Sequence, residues 1–184
     1  MFVGRQPEMA QLLRALDRAR RGRGQIVLLS GSGGMGKTRL AQELAGQAEH
    51  DGLHVLWGRC LEEPGAPPYW PWRQLIRSYL RSSGDPDPAR TFGAGLGEIA
   101  SVVPEVGEDF SAPPPPSAAV DTAQSRFRLF DAVAGFWRRA AQRTLQLLIF
   151  EDLHWADATS LRLLAFLAAE LEDSAVLVLS LIHI

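Results

Sequence analysis

Residues 25–38, "QIVLLSGSGGMGKT", leave this chain little freedom in how it folds. A short apolar run goes directly into a glycine-rich loop, and a helix-forming stretch follows. An apolar run without polar alternation is expected as a strand buried on both faces of a parallel sheet. Gly31 to Thr38 fits G-x-x-x-x-G-K-[ST] without a mismatch. Glycines let the backbone curl until successive N–H groups point inward at phosphate oxygens. The helix that follows aims the positive end of its dipole at the same place. Lys37 is expected to bridge β- and γ-phosphates, and the Thr38 hydroxyl to hold Mg²⁺. The expected binding set is Gly31, Ser32, Gly33, Gly34, Met35, Gly36, Lys37, Thr38 and Arg39. A glycine-rich turn matching by chance would not need a strand before it and a helix after it, and both are present. The motif does not distinguish adenine from guanine.

Composition sharpens this reading. Lys and Arg together number 19, and the only lysine is Lys37. An ammonium and a guanidinium are not interchangeable, so the chain keeps its lysine where a compact point charge is needed. The remaining bulk properties are ordinary. The chain has 184 residues, 46% hydrophobic and 22% charged with a net charge of −2, which suits one globular domain. Nothing global draws it to nucleic acid or an anionic membrane. Its single cysteine, Cys60, has no internal partner and points to a reduced, cytoplasmic setting. No apolar run is long enough to span a membrane, and no targeting segment opens the chain.

Hydrophobic periodicity organises the rest. Residues 7–21 read as a helix, 40–50 as a second, and "HVLWGR" (54–59) as a strand, which makes a βαβ unit. Residues 61–144 read as a helical insertion. It has helices in "WRQLIRSYLRSS" and "DTAQSRFRLFDAVAGFWRRAAQ", and a Pro-rich loop near 104–120. Then come a buried strand (145–150), a helix (158–171) and a fourth strand (175–181). The predicted class is α/β: a three-layer P-loop nucleotide-hydrolase fold with a mostly parallel sheet, incomplete at the C-terminus, over one domain spanning 1–184.

A phosphate loop needs a carboxylate at the end of a neighbouring strand. "LQLLIFED" supplies Glu151 and Asp152 where a buried strand opens onto the crevice in which such sheets bind ligands. The alternative is that two acids merely end a strand or precede a helix. We assign metal holding to Glu151 and water positioning to Asp152, so Thr38, Glu151 and Asp152 form the metal set. Lys37, Glu151 and Asp152 form the catalytic set.

Other residues have plainer readings beside functional ones. Arg18, Arg20, Arg21 and Arg23 read as a solvated helix end rather than a nucleic-acid patch. Tyr69, Trp70 and Trp72 fit either a partner-docking site or a core anchor. Trp155 is expected to pack, and His154 is evenly balanced between packing and the phosphate network. Asp157 reads as a helix N-cap. Arg126, Arg128, Arg138 and Arg139 read as helix surface rather than as fingers for a neighbouring subunit.

The chain resembles the ATPase domain of the large ATP-binding LuxR-type transcriptional regulators, an origin-recognition-like branch of the AAA/STAND P-loop ATPases. The resemblance rests on "FVGR" (2–5), "GSGGMGKTRLAQELA" (31–45), "GRC" with "PPYWPW" (58–72), "FRLFDAV" (127–133) and "EDLHWADATSLRLL" (151–164). It implies ATP with Mg²⁺ as ligands, and Val3, Gly4 and Arg5 against the adenine, with residues 1–24 as the adenine-side turn and helix. It also implies slow hydrolysis that drives a switch, self-association through the ATPase domain, and DNA contact only through a domain absent from this chain. The expected sheet order is 5-1-4-3-2. A polar or Arg-bearing sensor after the fourth strand, the fifth strand and the helical lid are not found. The closing "LIHI" fits no expected continuation and reads as truncation or an assembly scar. Three other readings stay open: an AAA-type DNA initiator or loader, a regulatory module of a cyclase or kinase, and a non-hydrolysing ATP-binding scaffold.

Overall fold

A computed structural model describes residues 5–62, 65–110 and 122–183. Its centre is a four-stranded parallel sheet in the order β1-β4-β3-β2. The strands are β1 (Gln25–Gly31), β2 (His54–Arg59), β3 (Gln146–Glu151) and β4 (Val176–His183). Successive side chains of a strand point to opposite faces, so each central strand feeds two cores. On one face Leu147, Ile149, Leu177 and Leu179 meet Leu12 and Leu16 of α1 (Gln6–Arg20) and Leu40 and Leu44 of α2 (Lys37–His50). On the other, Leu148, Phe150, Val176 and Val178 meet α3 (Trp70–Ser82), α7 (Ala123–Ala141) and α8 (Ala158–Glu170). Three layers result. The strand order is the expected one for the four strands present.

β1 departs from expectation. It is not buried on both faces, because it lies at the sheet edge and none of its residues is fully buried. Val27 and Leu29 pack toward α1 and α2, but Leu28 on the other face is 59% exposed. An edge strand with an exposed leucine offers unpaired backbone groups beside apolar surface. The 184-residue chain should therefore self-associate with rising concentration, and Leu28→Lys should reduce this. Sedimentation that finds a monomer at every concentration would remove the argument.

The 61–144 region holds more structure than its periodicity suggests. Three short helices, α4 (Pro88–Phe92), α5 (Leu96–Ala100) and α6 (Pro104–Phe110), precede α7. The segment near 104–120 expected to be a Pro-rich loop thus begins as a helix, with Pro104 in its first turn, where proline is tolerated. Residues 111–121 lie outside the described residues. Arg139 of α7 donates to the Thr91 and Phe92 carbonyls, both at 2.7 Å. Arg138 pairs with Glu170 at 3.1 Å. These two arginines hold the helical layer together.

The aromatic motif before α3 is mainly a core anchor. Trp72 is buried, donates its indole N–H to the Ser160 carbonyl of α8 at 3.2 Å, and meets Phe150 edge-on at 4.7 Å. Tyr69 is buried too, in the left-handed conformation that turns the chain into α3. Trp70 stays partly exposed beneath the Arg73 and Arg77 guanidinium groups. The arginines closing α1 behave as expected of a solvated end, with Arg20 paired to Asp51 and Arg21 to Asp17. Among the described residues no helix is long and apolar enough to cross a membrane.

Candidate functional site

The parallel register brings three chain segments to one end of the sheet. β1 ends in Gly31, β3 ends in Glu151, and β2 ends in Arg59 opposite Glu151. The loop 32–36 leaves β1 and turns into α2. Gly34 and Gly36 take φ of 75° and 79°, a region costly for any residue with a Cβ. Gly36 is also the N-cap of α2, and it has no side chain with which to cap the helix. Its first intrahelical bond is Leu40 N–H to the Gly36 carbonyl at 3.0 Å. Among the described residues the amides of Lys37, Thr38 and Arg39 have no side-chain acceptor, and they stand at the positive end of the helix dipole. No acidic residue lies in that first turn.

Lys37 is the decisive side chain here. It is 3% exposed, and its Nζ donates to the Gly31 carbonyl at 2.6 Å and the Ser32 carbonyl at 2.9 Å. It also donates to His183 Nδ1 at 3.2 Å. Among the described residues no carboxylate pairs with it. A buried cation held only by neutral acceptors is costly, and an anion beside it would relieve that cost.

The two acids diverge. Glu151 follows Leu147 and Ile149 in phase on the α2 side, and it lines a groove with Gln42, Glu49 and Trp57. Asp152 leaves the strand in the left-handed conformation, φ 56° and ψ 42°, and opens the short 3₁₀ turn Leu153–Trp155. Its carboxylate faces the ends of the neighbouring strands. Oδ2 lies 3.7 Å from Arg59 Nε, and Oδ1 lies 3.0 Å from His183 Nε2. His183 accepts from Lys37 at Nδ1 and donates to Asp152 at Nε2, which defines the Nε2–H tautomer. Among the described residues no group of three or more His, Cys, Asp or Glu is placed to hold an ion. An ion here would need the Thr38 hydroxyl and ligand oxygens in addition. That is an all-oxygen donor set of the kind Mg²⁺ prefers.

Asp157 is the N-cap of α8. It accepts from Ser160 N–H at 2.9 Å and Ser160 Oγ at 2.5 Å, and from Thr159 Oγ1. Burial raises its pKa, but these hydrogen bonds outweigh burial and hold it below the usual carboxylate value. Trp155 is not packed as expected. It is 44% exposed and rims a pocket with Cys60, Leu61 and Trp70, because the tight 3₁₀ turn carries it outward. Burial, then the charges of Asp157 and Asp152, push the Cys60 thiol up to about 12, so it stays an inert thiol. His154 is exposed, with its ring tilted against that of Trp155 at 4.9 Å. Arg5 is the left-handed N-cap of α1, and Val3 and Gly4 lie outside the described residues. Arg59 went unassigned at the level of sequence, although "GRC" was visible. Its nearness to Asp152 needs β2 and β3 to pair.

This sheet order, with a glycine loop after β1 and an acidic end to β3, defines a P-loop nucleotide-hydrolase fold. Residues 1–179 match the family model described as the AAA ATPase domain, and the chain belongs to that family. Among curated proteins none matches the chain. Among solved structures it is similar to that of the ORC2 protein of Aeropyrum pernix, described in ADPNP–ADP complexes, at 18% identity and a TM-score of 0.52. The match covers 99% of this chain and 41% of that one, and at this identity the likeness is one of fold. His183 lies beyond the family match, and the chemistry proposed below rests on residues within it.

Proposed function

We propose that residues 31–39 bind the triphosphate of ATP with Mg²⁺, and that the chain hydrolyses it slowly as the nucleotide switch of a larger transcriptional regulator. The observation that carries this is Lys37, a buried ammonium with no carboxylate partner among the described residues, set at the N-terminus of α2. A polyanion supplies what both lack. In the proposed site Gly31 to Gly36 present their N–H groups and Lys37 turns from its carbonyls to phosphate oxygens. Arg39 adds charge at the rim. The Thr38 hydroxyl and the Glu151 carboxylate would hold the ion, and Asp152 would complete the proposed metal set. The family resemblance assigns the base to Arg5, with Val3 and Gly4. When bound, Mg²⁺ neutralises phosphate charge and polarises the γ-phosphoryl group. Asp152 positions the attacking water and accepts its proton, and Arg59 holds the Asp152 carboxylate in place. The preference for ATP over GTP is supported by the family. The regulatory role is supported by the likeness of "EDLHWADATSLRLL" and "PPYWPW" to LuxR-type regulators.

Calorimetric titration with Mg·ATP and Mg·GTP, beside a phosphate-release assay, tests this reading. Asp152→Asn is the informative variant. Asparagine tolerates the left-handed backbone as aspartate does, so it removes charge without straining the turn. Turnover should fall by about 100-fold, while ATP affinity stays within about threefold. An unchanged turnover would take the water-positioning role away from Asp152. Absence of turnover in the unaltered chain, with intact binding, would leave a scaffold rather than an ATPase.

A further inference from the structure

We propose that Met35 is an oxidation site at the mouth of the phosphate loop, and that its sulfoxide closes the loop to nucleotide. The proposal rests on the nucleotide-binding reading above. Met35 is 51% exposed, and it sits between Gly34 and Gly36, the two residues that hold the loop open in the left-handed conformation. Its side chain folds back across the loop, so that a Cβ placed on Gly31 would lie 3.3 Å from the Met35 sulfur. The thioether therefore sits over the start of the loop, in reach of solvent. Met9, by contrast, packs against the α1–α2 core, and Cys60 is buried with its thiol protonated.

The chemistry balances with hydrogen peroxide as the oxidant. A sulfur lone pair attacks one peroxide oxygen, an S–O bond forms as the O–O bond breaks, and the departing hydroxide takes up the proton to leave as water. The thioether is oxidised to a sulfoxide and the peroxide is reduced. The new oxygen is a strong acceptor with negative partial charge. It appears over Gly31, whose carbonyl holds the Lys37 ammonium at 2.6 Å. A sulfoxide oxygen in this position competes with phosphate for that ammonium. Nucleotide bound in the loop covers the Met35 sulfur and shields it from peroxide.

The test uses the full 184-residue chain treated with hydrogen peroxide, with peptide mass spectrometry to follow each methionine and titration with Mg·ATP before and after. Met35 should oxidise at least tenfold faster than Met9. Its sulfoxide should weaken ATP binding by tenfold or more, and a methionine sulfoxide reductase should reverse the loss. Saturating Mg·ATP should slow oxidation at Met35 but not at Met9. Met35→Leu, measured against its own untreated affinity, should lose the response to peroxide. Oxidised protein that binds ATP as before would overturn the proposal, as would Met35→Leu losing affinity on treatment as the unaltered chain does. If untreated protein fails to bind ATP, the nucleotide reading falls first and the coupling with it. The oxidation rates of Met35 and Met9, read without nucleotide, separate that failure from a misplaced Met35.

Discussion

Lys37→Ala should abolish Mg·ATP binding, with affinity falling at least about 100-fold by calorimetry. Hydrogen bonds and charge contacts between Nζ and phosphate oxygens are charge-assisted, and losing them in a dry site is expensive. The substitution should not weaken the fold. In the unaltered chain the ammonium is 3% exposed and held by the carbonyls of Gly31 and Ser32, with no carboxylate partner among the described residues, so its burial is a cost. Removing it should leave the melting temperature of the nucleotide-free protein unchanged or higher. The two readouts therefore move apart. The unaltered chain at ATP concentrations near 100 times its Kd should gain about 2.7 kcal/mol of stability, and Lys37→Ala should gain none. Lys37→Arg should not restore binding. The planar guanidinium is larger than an ammonium and does not fit a point held by two carbonyls of one tight loop. Retained ATP affinity in Lys37→Ala would place the nucleotide elsewhere.

Gly24→Ala should cost about 3 kcal/mol or more, enough to unfold much of the population of a marginally stable domain. Gly24 stands between α1 and β1, where the chain passes the turn that joins α8 to β4. A Cβ on Gly24 would lie 1.9 Å from the Leu171 carbonyl oxygen and 3.4 Å from that of Ser174. Both are backbone atoms, so no side chain can swing away. Gly24 N–H also donates to the Glu172 carbonyl at 2.7 Å, which ties the two turns together. Relief would mean moving β1 or β4, and their pairing carries the register of the whole edge. Gly46→Ala is the matching control. It lies within α2 with open space where its Cβ would stand, and should stabilise by roughly 0.5–1 kcal/mol. Urea unfolding of the two variants decides the matter. A Gly24→Ala midpoint close to that of the unaltered chain would mean that the turns separate freely.

Local features were legible from the residues. The phosphate loop, the flanking strand and helix, the Asp157 cap and the apolar third strand each depend on contacts within a few positions, so the pattern along the chain carries them. The 5-1-4-3-2 order is implied by the family resemblance, and the four strands described fit its 1-4-3-2 part. Features that depend on distant neighbours were not legible. "QIVLLS" has the pattern of a buried strand, yet Leu28 is exposed, because burial depends on which elements lie beside β1 and over it. Trp155 has the composition of a core residue, yet a left-handed Asp152 and one 3₁₀ turn carry it to the surface. Residues 88–110 are rich in glycine and proline and lack a long periodic stripe. Their helices exist because Phe92, Ile99, Val103 and Val106 find a common core with α7.

The sequence by itself determined that a curled glycine loop with one lysine would end a strand and begin a helix, since glycine conformations and helix termini are set by nearest neighbours. Tertiary structure decided which acid faces which neighbour. Strand pairing put Arg59 beside Asp152, and the packing of α2 on the Leu147–Ile149 face of β3 turned Glu151 toward that helix. Folding also decided the state of the lysine. Only the close packing of the loop against the strand ends removes Lys37 from water and leaves it, among the described residues, without a carboxylate, and the proposed anion site rests on that burial.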